Sequence, residues 1–351
     1  MNSEAAQLCA TVQHNCDISD ARYARDYSMC VYLLRMQEHY RWKHALALDA
    51  PIDRKSLGSW VRDTEDYWDT IEHTDFLPLS INNTAHDPFD DEAINHALAS
   101  AGIAYSSGIG RLGQPHFVLA QCTARSTQPY PQLELGKELA RDTITLPAMT
   151  RSNTIIVRHD SIKRMLWQMI AEWRLHRHDG PMARVIQHYD IDPDHASVNR
   201  ITAAATDLSE LLIHHERGEI NTTQRLGSDY LRMLAALQGK PAEGMLRAVS
   251  DLMADSISTW PYLIEQQSSV HLYFWLAGLQ GVRETLLEPT GFYKTLTNHH
   301  QPLNVLSSHL TREQQRWQRV AQGLLDVFNK KGSGFDVKAT IEQSAYTADD
   351  A

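Results

Sequence analysis

The chain has 351 residues, of which 42% are hydrophobic and 22% charged, and its formal net charge is −10 with histidine counted as neutral. This composition is that of a folded globular protein, and the length predicts about two domains. The acidic balance, with no block of five or more basic residues, argues against binding to nucleic acid, which relies on clustered positive charge.

The start of the chain, MNSEAAQLCATVQHN, has neither a basic segment nor an apolar stretch, so we expect no signal peptide. The longest apolar run, around residues 272–279, is far shorter than the ~18 residues that a membrane span needs. The four cysteines are sparse and unpatterned, as in proteins of a reducing compartment. We therefore expect a soluble cytoplasmic protein without a membrane segment.

The first third of the chain is predicted to be helical. Residues 17–47 predict one long helix, because neither Gly nor Pro interrupts them. Further helices are expected at 56–73 and 90–101. Residues 103–158 differ, since they contain short β-branched or alternating segments bounded by Gly, Pro and Ser, namely Ile103–Ser106, His116–Thr123, Gln132–Leu135 and Asn153–Arg158. These segments predict hairpins in a small antiparallel sheet.

From residue 160 the pattern is helical again, with helices expected at about 160–179, 195–217, 223–238, 242–257, 269–287 and 308–329. The polar and acidic end, residues 331–351, predicts a flexible tail. The expected fold is mainly α, a multi-helix bundle with a small antiparallel β subdomain around residues 103–158. Its domains would be 1–158, with the N-terminal helices and the β subdomain, and the helical 159–330.

Familiar catalytic motifs are missing or lack their structural context. Gly108, Gly110 and Gly113 match the phosphate-binding pattern GxGxxG, but a strand rather than a helix is expected after them. Glycines at a hairpin turn are therefore the favoured interpretation. The chain contains no GxSxG, GxxxxGK[ST], HExxH or CxxC, so serine hydrolases, P-loop proteins and zinc fingers lack their local signals.

The predicted first helix carries polar residues on an apolar stripe. On one helical wheel Tyr23, Tyr27, Glu38 and Arg41 fall on the same side. Glu38 and Arg41 are three residues apart, so a structural ion pair is one interpretation. The other makes these four residues the catalytic wall of an internal polar pocket, where ionisable groups acquire pKa values suited to acid–base chemistry.

Two histidines also lie on apolar helix faces. In LSELLIHHERGE, His215 and Glu219 are four residues apart and could share a metal or a proton, unless Gly218 ends the helix before Glu219. His271 lies among aromatic residues, and a structural histidine is the alternative at both positions. Glu38, His215, Glu219 and His271 are the ligand types of helical carboxylate–histidine sites, which makes bound iron or manganese a hypothesis. The usual Glu-x-x-His pair is missing.

Three stretches, ARYARDYSMCVYLLRMQEHYRW, GKELARDT and HHERGE, resemble a bacterial family of uncharacterised helical proteins. The resemblance spans most of the chain and implies no activity, cofactor or catalytic residue. In GKELARDT itself, Glu138, Arg141 and Asp142 crowd near the predicted sheet, and surface or inter-domain salt bridges are the favoured explanation of these charges.

Two functions remain open at this point. The first is a helical enzyme or small-molecule-binding protein with a buried carboxylate, histidine and tyrosine pocket, which could depend on a metal. The second is a non-catalytic accessory protein that docks a partner protein on an aromatic-rich face, since aromatic residues anchor interfaces. The sequence leaves the substrate, the reaction type and the oligomeric state undecided.

Overall fold

The structure is a computed structural model and describes residues 3–110, 113–151, 153–195, 197–288 and 291–345. The chain divides into two compact units, of which the first extends to Trp167 and the second begins at Gln168. The boundary falls inside helix α5 (His159–His176). No helix within the described ranges is long and apolar enough to cross a membrane.

The first unit combines helices with two sheets. Its helices before α5 are α1 (Ser3–Tyr23), α2 (Met29–Lys43), α3 (Arg54–Ile71) and α4 (Asp91–Ala97). Its strands are β1 (Leu79–Ile81), β2 (Thr84–His86), β3 (Ile103–Ile109), β4 (Pro115–Ser126), β5 (Gln132–Arg141), β6 (Ala148–Arg151) and β7 (Thr154–Arg158). The first two strands form an antiparallel pair, and the others form one sheet in the order β3-β4-β5-β7-β6.

The five-stranded sheet is larger than the small antiparallel sheet expected from the sequence, and it is mixed. Strand β7 lies between β6 and β5, and it pairs antiparallel with β6 but parallel with β5. Helix α1 covers one face, where Leu8, Val12 and Cys16 pack against Phe117 and Leu119 of β4. The antiparallel pairing of β3 with β4 confirms that the GxGxxG glycines lie at a hairpin.

The single helix predicted over 17–47 is wrong. Helix α1 ends at Tyr23, a 3₁₀ turn covers Ala24–Asp26, and Tyr27 is extended before α2 begins. At the break, the Tyr27 hydroxyl donates to the side-chain oxygen of Gln114 at 2.8 Å, and the Arg35 guanidinium lies 3.8 Å from the centre of the Tyr27 ring. A helical wheel that runs through 17–47 therefore mixes two different helix faces.

The second unit is helical throughout the segments that the structure describes. After the end of α5 it contains α6 (Pro181–His188), α7 (Val198–Leu237), α8 (Pro241–Ala254), a π-helical segment (Asp255–Thr259), α9 (Trp260–Gln266), α10 (Ser269–Gly278), α11 (Val282–Leu287), α12 (Phe292–Asn298), α13 (Pro302–Lys331) and α14 (Val337–Ala345). The segment expected as a flexible tail thus contains α14, whose Val337 and Ile341 are buried as it packs on α13 and α8.

Helix α7 joins the two helices expected at 195–217 and 223–238, with a kink at Gly227, where φ is 71°. Gly218 does not end the helix but lies in its interior, against the end of α8. A Cβ atom added to Gly218 would lie 2.7 Å from the carbonyl carbon of Ala254, closer than side chains and backbone approach in proteins. Glycine at this position therefore allows α7 and α8 to pack backbone against backbone.

Candidate metal centre

The close contact of α7 and α8 brings four ionisable side chains together. His215 and Glu219 lie one turn apart on α7, on either side of the Gly218 contact. Asp251 lies in the last turn of α8, and Asp255 begins the π-helical segment that follows. Because Asp251 and Asp255 are four residues apart, both can face α7 at the level of His215.

The two ring nitrogens of His215 have different neighbours. Nδ1 lies 2.8 Å from Oδ1 of Asp255, and Nε2 lies 3.6 Å from Oε1 of Glu219. One ligand atom each of His215, Glu219 and Asp251 lies within 4.8 Å of the other two. The Nε2 atom is thus turned toward Glu219, while Nδ1 is held by Asp255, and Asp251 lies within reach of both His215 and Glu219.

Asp255 is buried and has hydrogen bonds on both carboxylate oxygens. The Thr259 hydroxyl donates to Oδ1 at 2.9 Å, and the indole N–H of Trp275 donates to Oδ2 at 2.9 Å. The backbone N–H of Trp260 donates to the carbonyl oxygen of Asp255, five residues back, which marks the π-helical turn. Such turns occur often at functional sites, and this one places a fully anchored carboxylate behind His215.

Negative charge is in excess around His215. Three carboxylates surround the imidazole, and one guanidinium, that of Arg283, lies 4.0 Å from Asp251 and 3.8 Å from Asp255. Burial, together with the nearby charge of Glu219, raises the pKa of Asp251 to about 6. Burial lowers the pKa of His215, but Asp255 and Glu219 outweigh it and hold that pKa well above its ordinary value.

This arrangement fits a divalent metal ion that displaces the proton of His215. Once His215 is neutral, as a metal ligand must be, the imidazole, three carboxylates and one guanidinium carry a net charge of −2, which a divalent ion would balance. Ligand atoms about 2.1 Å from a metal ion lie about 3.0 Å apart in octahedral and about 3.4 Å apart in tetrahedral geometry, so His215, Glu219 and Asp251 would draw closer together by side-chain rotation. The Asp255 carboxylate would hold the Nδ1–H tautomer of His215, as outer carboxylates do for metal-bound histidines.

His271, the other histidine of the predicted metal set, has both ring nitrogens engaged elsewhere. Its Nδ1 lies 2.6 Å from the Ser268 hydroxyl, and its Nε2 lies 3.0 Å from the carbonyl oxygen of Asp207. Among the described residues, Asp251 rather than His271 lies close enough to share an ion with His215 and Glu219.

Glu38 belongs to the first unit, whereas His215, Glu219 and His271 belong to the second. Its carboxylate lies 3.3 Å from Nε of Arg41 and 3.8 Å from Nη1 of Arg164, so it is paired with guanidinium groups. Tyr27 and Tyr23 are half-buried at the break between α1 and α2, and the Tyr27 hydroxyl bonds to Gln114.

Sequence reasoning missed Asp251 and Asp255. A signal for them exists, because the stretch DLMADSIST places two acidic residues four apart in a largely apolar helix. A carboxylate pair on the buried face of a helix needs counter-charges, and a search for histidine on a neighbouring helix would have led to His215.

Two family models match the chain. The model of the N-terminal domain of a family of unknown function (DUF6866) matches residues 7–158, and the model of its C-terminal domain matches residues 163–347. No curated protein and no solved structure matches the chain.

Proposed function

The chain belongs to this family, whose two domains have no assigned function, and from the site itself we propose that it is a metal-dependent protein. It would be an enzyme or a small-molecule-binding protein whose second unit holds a divalent transition metal at His215, Glu219 and Asp251. The observation that carries the proposal is that His215, Glu219 and Asp251 each offer a ligand atom within 4.8 Å of the other two, while Nε2 of His215 faces Glu219 and Nδ1 is held by buried Asp255. This division of roles is typical of metal-ligating histidines.

The donor set favours iron or manganese. One imidazole nitrogen and two carboxylate oxygens form a harder set than the thiolate ligands of copper(I) or iron–sulfur sites. Three protein ligands leave coordination positions for water or a substrate, as in catalytic metal sites. An ion held in this way can polarise a bound oxygen or lower the pKa of a bound water.

Metal content tests the proposal directly. The full-length protein should be produced with iron or manganese in the medium, purified at low oxygen, and analysed for metals by mass spectrometry. We expect about one equivalent per chain in the wild type and in Glu210→Gln, an exposed carboxylate on the same helix. Glu219→Gln and His215→Ala should lose most of it. A wild type that holds no metal, and binds no added Mn²⁺ in equilibrium titration, would refute the proposal.

The alternative of partner docking through an aromatic-rich face has less support. None of the eight tryptophans, all in described segments, is exposed, and Trp68, Trp260 and Trp317 are among the largest fully buried side chains. The large aromatic surface is therefore used mainly inside the two units rather than for an interface.

A further inference from the structure

In the first unit, the Glu38–Arg41 pair and the GKELARDT segment form one network. Arg41 Nε lies 3.3 Å from Glu38, and Arg141 Nη1 lies 3.2 Å from Glu138. The two pairs are joined because Arg141 Nη2 donates to the backbone carbonyl oxygen of Glu38 at 3.4 Å. The network therefore connects α2 with the end of β5.

Positive charge exceeds negative charge in this network. Arg158 pairs with Glu138 at 2.9 Å, and Arg164 approaches Glu38 at 3.8 Å. Four guanidinium groups thus share two carboxylates. Removing a charge from water without a counter-charge is costly, so the imbalance points to an anion from outside the described residues.

The next carboxylate along the chain reduces the imbalance without removing it. Asp142 is buried, and its oxygens accept the backbone N–H groups of Phe117 and Ile144 at 2.9 and 2.8 Å. Burial raises its pKa to about 6 against the opposing charges of Arg158 and Arg141, so at neutral pH three carboxylates face four guanidinium groups. Burial, followed by the charges of Arg141 and Lys43, holds the pKa of His39 well below its ordinary value. A neutral His39 beside these cations agrees with an excess of positive charge.

Two of the guanidinium groups also have unused donors. Nε and Nη1 of Arg164, and Nε of Arg141, are buried and have no hydrogen-bond acceptor in the part of the chain that the structure describes. The 3.8 Å between Arg164 and Glu38 is too long for a hydrogen bond. Buried donors of a charged group are normally satisfied, so these point to an acceptor from outside the chain.

The outer end of the network is accessible to a ligand. The side chains of Glu38, Arg164 and Arg41 are 18%, 14% and 11% exposed to solvent, whereas that of Arg141 is 1% exposed. We propose that the first unit binds a small anion, the carboxylate or phosphate group of a small molecule, at Arg164 and Arg41 beside Glu38. Guanidinium groups pair with both kinds of anion through parallel hydrogen bonds. The proposal is independent of the metal centre.

Anion binding should be measured by calorimetry on the full-length protein, with inorganic phosphate and with malonate, at an ionic strength held constant with chloride. We expect saturable binding of at least one anion, which identifies the ligand class. Arg164→Gln should weaken binding about ten-fold or more, because a charged hydrogen bond is lost. Arg62→Gln, an exposed arginine of the same unit, should leave the affinity unchanged.

Glu38→Gln separates an anion site from a structural ion pair. The Glu38 carboxylate competes with an incoming anion for Arg41 and Arg164, so its neutralisation should tighten binding several-fold. The inference is overturned if neither anion binds, if Glu38→Gln does not tighten binding, or if a folded Arg164→Gln binds as the wild type does. Loss of binding in Glu219→Gln but not in Arg164→Gln would place the anion on the metal and would also overturn it.

Discussion

His215 Nδ1 lies 2.8 Å from Oδ1 of Asp255, a carboxylate that is 1% exposed and bonded on both oxygens. The contact directs the Nδ1 proton toward Asp255 and turns Nε2 toward Glu219. Ring orientation and tautomer are thus determined by a residue that need not touch a metal itself.

The first prediction concerns this outer carboxylate. Asp255→Asn should lower the affinity for Mn²⁺ about 10–100-fold, because a neutral amide does not hold His215 in the correct tautomer as the charged carboxylate does. Competition with a chelator measures the affinity. Thr259→Val is the matched control, since it removes another hydrogen bond to the same oxygen of Asp255 and leaves His215 in place. An Asp255→Asn protein with wild-type affinity would contradict the assigned role.

The second prediction is that the effect of Asp251→Asn on stability depends on whether metal is present. Without metal, Asp251→Asn should leave the melting temperature unchanged or raise it, because it removes one of several carboxylates crowded around His215. With free Mn²⁺ at a hundred times its dissociation constant, the wild type should gain about 2.7 kcal/mol and the variant little. Thermal unfolding with and without Mn²⁺ tests this, with Glu210→Gln as the control. Equal gains in both proteins would argue against Asp251 as a ligand.

Local patterns predicted much of the secondary structure but not the break at the first helix. Helical periodicity correctly indicated a mainly α chain, and alternation indicated strands near 103–158. Neither Gly nor Pro occurs between residues 24 and 28, however, and the contact of Tyr27 with Gln114 at the break joins residues 87 positions apart, which a local pattern cannot show. A helical wheel drawn across such a break therefore cannot show that Tyr27 and Glu38 lie on one face.

The site was only half predictable for a similar reason. The spacing of His215 and Glu219 on one helix is a local property, and the structure retains it at 3.6 Å. Asp251 and Asp255 reach the same place because α8 packs on Gly218, which is a relation between helices. A single sequence shows the glycine but not the backbone that lies against it.

A third prediction follows from the charge of Glu138. Burial raises the pKa of this carboxyl, but Arg158 and Arg141 outweigh burial and lower it to about 2. An unfolded glutamate titrates near 4.3, so the contribution of Glu138 to stability is present above that pH and is lost as the pH falls toward 2, by about 3 kcal/mol. Between pH 5 and pH 2 the difference in unfolding free energy between wild type and Glu138→Gln should shrink by that amount.

Urea denaturation at several pH values measures this difference. At neutral pH, Glu138→Gln should cost about 3–5 kcal/mol, since it leaves Arg141 and Arg158 buried without their counter-charge. Asp66→Asn, an exposed carboxylate of the same unit, should show neither the cost nor the pH dependence. A difference that stays constant with pH would mean that Glu138 titrates normally in the folded state.

The last prediction tests the helix contact that builds the metal centre. Gly218→Ala should lower the free energy of unfolding by about 1–3 kcal/mol, because the new methyl group would clash with the backbone of Ala254 unless α7 and α8 move apart. Moving α8 away from α7 also separates Asp251 and Asp255 from His215, so metal content should fall together with stability. Gly58→Ala is the opposite control, since its Cβ meets nothing within 4 Å in helix α3 and should stabilise by roughly 0.5–1 kcal/mol. A Gly218→Ala protein that keeps wild-type stability and metal content would show that the two backbones do not touch.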